Sequence, residues 1–77
     1  MTPASVSALT TLRRIARGHR GASSGERAAW DILQSLQNDV PVNFFDCFVR
    51  LDGEGRRAVV QLLVDLANGK TGLIDLR

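Results

Sequence analysis

The sequence predicts an all-α protein, a compact bundle of four short helices with a short C-terminal tail. Apolar residues recur at helical spacing along most of the chain, and a helix-capping residue stands ahead of each such stretch. Glycine or proline then marks where helices stop. At 77 residues, 44% hydrophobic and 23% charged, the chain has room for one small domain, residues 1–77, with a thin core.

Thr2 reads as an N-cap and Pro3 as the first helical residue, where a missing N–H costs nothing. Val6, Leu9, Leu12, Ile15 and Ala16 then give one apolar face to a helix over about 3–17, with Gly18 as its stop. Ser23 with Glu26 three residues later is a capping box opening a helix over about 24–37, lined by Ala29, Ile32, Leu33 and Leu36. Trp30 falls at the edge of that stripe. Asn38, Asp39 and Pro41 make the turn that follows. Asn43 caps a short helix over about 43–50 holding Phe44, Phe45, Phe48 and Val49. A strand over Val40–Phe45 is the competing reading, rejected because no second strand exists to pair with it.

Asp52 caps the last helix, about 53–68, whose start is weakened by Gly53 and Gly55. Val59, Val60, Leu62, Leu63, Val64, Leu66 and Ala67 spread over about 200° of its circumference, leaving Arg57, Gln61 and Asp65 as a narrow polar stripe. So apolar a helix is expected at the centre of the bundle, packed on two sides, or in a dimer interface through residues such as Leu63 and Val64. Gly69 ends it, and the tail 69–77 retains Leu73, Ile74 and Leu76.

Residues that carry chemistry are scarce. One Cys and one His exclude an intramolecular disulfide, a cysteine metal cluster and a zinc site built on histidines. Gly69-Lys70-Thr71 looks like the end of a phosphate-binding loop. Val64 stands where that pattern needs a glycine, and the segment follows a helix instead of a strand. Asp52-Gly53-Glu54-Gly55 lacks the twelve-residue ligand spacing of a calcium loop and is read as a helix cap. His19 is read as a solvated loop side chain and Cys47 as a small core hydrophobe beside Phe48. No acid–base constellation emerges, so no catalytic, cofactor or metal residue is expected and the protein is not expected to be an enzyme. No apolar run reaches the roughly 18 residues of a membrane span, and no signal-peptide pattern opens the chain. A cytoplasmic location is the expectation.

Charge is uneven. Residues 1–25 carry Arg13, Arg14, Arg17 and Arg20 and no acid, whereas residues 26–77 carry six basic and eight acidic side chains. Arg13, Arg14 and Arg17 fall within an arc of about 100° on the first helix, with Arg20 in the loop after it. A solvated face is the plain explanation, followed by a protein contact and then nucleic acid. No aromatic residue interleaves the arginines to stack on bases. A helix-turn-helix reading with helix 24–37 would present Glu26 and Asp31 to phosphates. Trp30 is read first as a core rim and second as an interface anchor.

The layout Ala8-Leu9-x-x-Leu12-x-x-Ile15-Ala16-x-Gly18-x-x-Gly21, then an Arg/Ala-rich second helix, then Val42-Asn43-Phe44-Phe45-Asp46 and Leu51-Asp52, resembles a family of small helical proteobacterial proteins of unknown function, often phage- or plasmid-borne. The likeness covers about residues 7–68 and departs in the second helix, where a second aromatic beside Trp30 would be expected. It implies a mobile-element setting, in which a small inhibitor or modulator of a host complex is a natural role, and it brings no catalytic or ligand residues.

The functional expectation is a non-catalytic interaction module that binds a protein partner or itself, with Arg13, Arg14, Arg17, Arg20 and Trp30 as the contact residues, together with spare apolar surface on the last helix. The alternative is a small nucleic-acid-binding regulator using the same arginines. No small-molecule substrate and no membrane partner are expected.

Overall fold

The computed structural model describes residues 2–17 and 23–70, and among these it contains four helices and no strand: α1 Pro3–Ala16, α2 Ser24–Asn38, α3 Phe44–Arg50 and α4 Gly53–Ala67. The predicted tail beyond Lys70, and Gly18, His19 and Arg20, lie outside the described residues. The Cα radius of gyration is 11.3 Å, close to the roughly 11 Å of a compact globule of this length.

Each helix starts where a side-chain oxygen takes an orphan backbone N–H. Thr2 Oγ1 accepts from Ser5 N at 3.2 Å, Ser23 Oγ from Glu26 N at 3.4 Å, Asn43 Oδ1 from Asp46 N at 3.1 Å and Asp52 Oδ1 from Gly55 N at 2.8 Å. The ends are equally specific. Asp39 closes α2 in the left-handed region (φ 56°), a conformation that Asp tolerates better than most residues. Gly69 closes α4 at φ 70°: its N–H donates to the Leu66 carbonyl at 3.1 Å and that of Lys70 to the Asp65 carbonyl at 2.9 Å. This is a Schellman motif, which needs a residue free to adopt positive φ.

α1, not α4, is the central element. It packs against both α4 and α2, while α3 packs on α2. α1 presents Ser5, Ala8, Leu9, Leu12 and Ala16 to its neighbours, and α4 presents Gly55, Ala58, Val59, Leu62 and Asp65. Small residues on both faces let the two helices approach closely. Leu12, Leu62, Val59, Ala28 and Ala29 are fully buried. Gly25 marks another close approach, since a Cβ there would stand 3.2 Å from the Arg50 carbonyl oxygen.

The orientation of α4 departs from expectation. Val60, Leu63 and Val64 are exposed, whereas Asp65, expected on an outer polar stripe, is 4% exposed. Its Oδ2 accepts hydrogen bonds from both Thr2 Oγ1 and Ser5 Oγ, and its Oδ1 accepts from Gln61 Nε2 at 3.3 Å. At the other end, Arg14 of α1 pairs with Glu54 of α4, so the two helices run antiparallel and are fastened at both ends. The Arg14–Glu54 pair is half-exposed on both sides and contributes at most about 1 kcal/mol. Asp65 is the stronger fastening, because a buried carboxylate is tolerated only when its oxygens are satisfied.

The Ser5 hydroxyl, the Thr2 hydroxyl, the nearby Lys70 charge and Gln61 hold the Asp65 carboxyl below its ordinary value of 3.8, against the opposing effect of burial. A depressed folded-state value means that this contribution to stability is complete above the unfolded value and is lost as pH falls through the folded one. Asp65→Asn is therefore expected to lower the melting temperature at neutral pH. The gap to the wild type should close as pH drops below 3.8, followed by circular dichroism; a gap independent of pH would show that the charge contributes nothing. Leu62→Ala is expected to cost about 2–5 kcal/mol in urea titration, and Val64→Ala on the outer face of the same helix about 0.5 kcal/mol or less.

Candidate partner-binding surface

Arg13 and Arg17 are one helical turn apart and stack along the side of α1 that borders α2. Together with Trp30 and Gln34 of α2 they line an open groove of about 450 Å³, floored by Ala16 and Leu33. Arg14 lies 100° further round α1 and is drawn to Glu54 on α4. The arginine cluster thus divides between two faces: Arg13 and Arg17 join Trp30, Arg14 does not, and Arg20 lies outside the described residues. Neither Arg13 nor Arg17 has an ion-pair partner among the described residues.

Trp30 is 37% exposed, a rim residue that keeps part of its indole at the surface. It borders a second groove as well, of about 500 Å³, between α2 and the segment running from Val40 into α3. Here the charged lining is Asp31, Asp46 and Arg50. Arg50 is committed to Asp46 at 3.0 Å, and Asp31 has no ion-pair partner among the described residues. Trp30 and Gln34 therefore form a ridge on α2 with a basic groove on its α1 side and an acidic one on its α3 side. Sequence periodicity could not find the second groove, because Asp31 and Asp46 belong to different helices and meet only through the α2–α3 packing.

A third feature is apolar. Leu36, Val42, Phe44, Val59 and Leu63 line a groove of about 340 Å³ where α2, α3 and α4 meet. Phe45 beside it is 76% exposed. The ring of Phe44 stacks on Phe48 at 5.6 Å. Arg56 secures the α3–α4 junction, donating from Nε to the Phe48 carbonyl at 3.2 Å and from Nη2 to the Val49 carbonyl at 2.7 Å.

Among the described residues, no three His, Cys, Asp or Glu side chains converge as a metal site requires, and no helix is long and apolar enough to cross a membrane. Comparison with models of protein families finds no match, and neither the curated proteins nor the solved structures yield one.

Cys47 is the one thiol of the chain and sits in the core at 2% exposure. Burial pushes its pKa up, against a hydrogen bond from Arg50 Nη2 at 3.6 Å and the charge of that guanidinium. The thiolate is the reactive form, so the native protein is expected to react with a disulfide reagent such as Ellman's only slowly. Addition of urea should release one thiol per chain at the rate of a free cysteine; an equally fast native reaction would contradict the burial.

Proposed function

We propose that this protein is a non-catalytic interaction module that binds a protein partner through the face of α2 centred on Trp30. One observation carries the proposal. Arg13, Arg17 and Trp30, distant in sequence, line a single open groove, and both arginines are without an ion-pair partner among the described residues. A half-exposed tryptophan flanked by guanidinium groups has the composition of an interface anchor, since Trp and Arg are enriched where binding energy concentrates. Arg planes also suit bidentate contacts to carboxylates.

Nucleic acid is the weaker alternative. A phosphate backbone laid on Arg13 and Arg17 would run close to the carboxylates of Asp31 and Asp46 on the far side of the Trp30 ridge, and Arg14, the third cation expected to contribute, is neutralised by Glu54. The biological setting, a mobile-element inhibitor or modulator of a host complex, stands as a proposal on the family resemblance alone.

The test is a tagged pull-down from a proteobacterial lysate, divided into nuclease-treated and untreated halves. A protein retained equally in both, and lost with Trp30→Ala or with Arg13→Glu/Arg17→Glu, is the expected result. Retention that vanishes on nuclease treatment would transfer the arginines to a nucleic-acid role, for which binding should also fall steeply with salt.

A further inference from the structure

We infer that the Trp30 face is self-complementary and that its occupant is a second copy of this chain, related by a two-fold axis lying along the Trp30–Gln34 ridge. The inference rests on the interaction-module reading and names the partner. In a two-fold interface the same patch serves both subunits, and whatever lies on one side of the axis meets what lies on the other. A patch suited to this must change sign across the axis. The Trp30 face does so: Arg13 and Arg17 occupy one groove, Asp31 and Asp46 the other, and Trp30 and Gln34 border both. Rotation about the ridge brings Arg13 and Arg17 of each subunit over Asp31 and Asp46 of its mate, twice over, with the two indoles facing one another at the centre.

The separation of charges is what favours this occupant over an acidic partner. A partner that was acidic throughout would match Arg13 and Arg17 but meet Asp31 with like charge, and juxtaposed like charges disfavour binding. Arg13, Arg17 and Asp31 have no ion-pair partner within the chain among the described residues, so all three are available for contacts between subunits. Asp46 is shared with Arg50, which leaves Asp31 as the principal acid. The apolar groove near Phe44 and Leu63 has no comparable pattern: its lining is uncharged, and nothing there selects one occupant.

Trp30 is the only tryptophan, so its fluorescence reports on this face alone. Wild-type protein diluted through the micromolar range at low salt is expected to shift from dimer to monomer mass in light scattering, with the Trp30 emission maximum moving to the red over the same interval. Two charge-swap variants make the test specific. Arg13→Glu/Arg17→Glu renders both sides acidic, whereas Asp31→Lys puts a cation on the acidic side opposite the unchanged Arg13 and Arg17; each alone is expected to weaken self-association at least about tenfold. An equimolar mixture should restore dimers, because each swapped side then meets its opposite. Circular dichroism checks that both variants remain folded; Arg13 and Arg17 are exposed and Asp31 is half-buried. Wild-type protein that stays monomeric up to about 0.5 mM would overturn the inference. So would a dimer indifferent to both swaps and dissociated instead by Leu63→Asp. A monomeric chain whose lysate partner is still lost with Trp30→Ala refutes only the second-copy assignment. A monomeric chain that captures nothing refutes the interaction-module proposal with it.

Discussion

The carboxylate of Asp65 at the start of α1 is the contact on which the arrangement of the bundle depends. Thr2 uses one hydroxyl twice, accepting from the Ser5 N–H to cap α1 and donating to Asp65. Ser5, fully buried, donates its own hydroxyl to the same oxygen. The first turn of a helix carries unsatisfied N–H groups and the positive end of its dipole. α1 has no acidic residue of its own there, and α4 supplies one from across the interface. Because Asp65 is also the residue whose carbonyl accepts the Lys70 N–H in the α4 cap, the end of one helix and the start of another are joined at one residue.

Consequences follow for the rest of α4. Once Asp65 turns inward, residues 3, 6 and 7 positions before it, Leu62, Val59 and Ala58, turn inward as well, and they form the buried face. Val60, Leu63 and Val64 must then face outward. Helical geometry permits no other distribution, since residues three and four apart share a face. The apolar side chains left outside are thus a product of seating a charged group inside. α1, bounded by α4 on one side and α2 on the other, takes the central place that composition alone would assign to the more apolar α4.

The same central position divides the arginines of α1. Arg14 faces α4 and its Glu54, whereas Arg13 and Arg17 face α2 and Trp30. A cluster that is continuous on a helical wheel becomes two sites with different chemistry, one an internal fastening and one an open groove. α3 then sets Asp46 across from Asp31, so the ridge between the grooves acquires opposite charges on its flanks. Neither flank is visible in a single helix.

What was legible in the sequence is what depends on near neighbours in the chain. All four N-caps, Thr2, Ser23, Asn43 and Asp52, are the predicted residues, because a cap bonds to an N–H only two or three positions away. Helix boundaries agree to within a residue for the same reason, and Cys47 is buried as its apolar surroundings imply. The face that α4 buries was not legible, since hydrophobicity counts Asp65 as a surface residue and cannot register hydroxyls sixty or more positions away that satisfy it. Nor was the pairing of Arg13 and Arg17 with Trp30 legible, since helical periodicity places residues around an axis without saying which neighbour occupies each side. By itself the sequence determined the elements, their limits and the all-α class, through contacts of short range. Only the tertiary structure decided which helix is central, which apolar residues remain outside and which charges face Trp30, because those outcomes depend on contacts between helices.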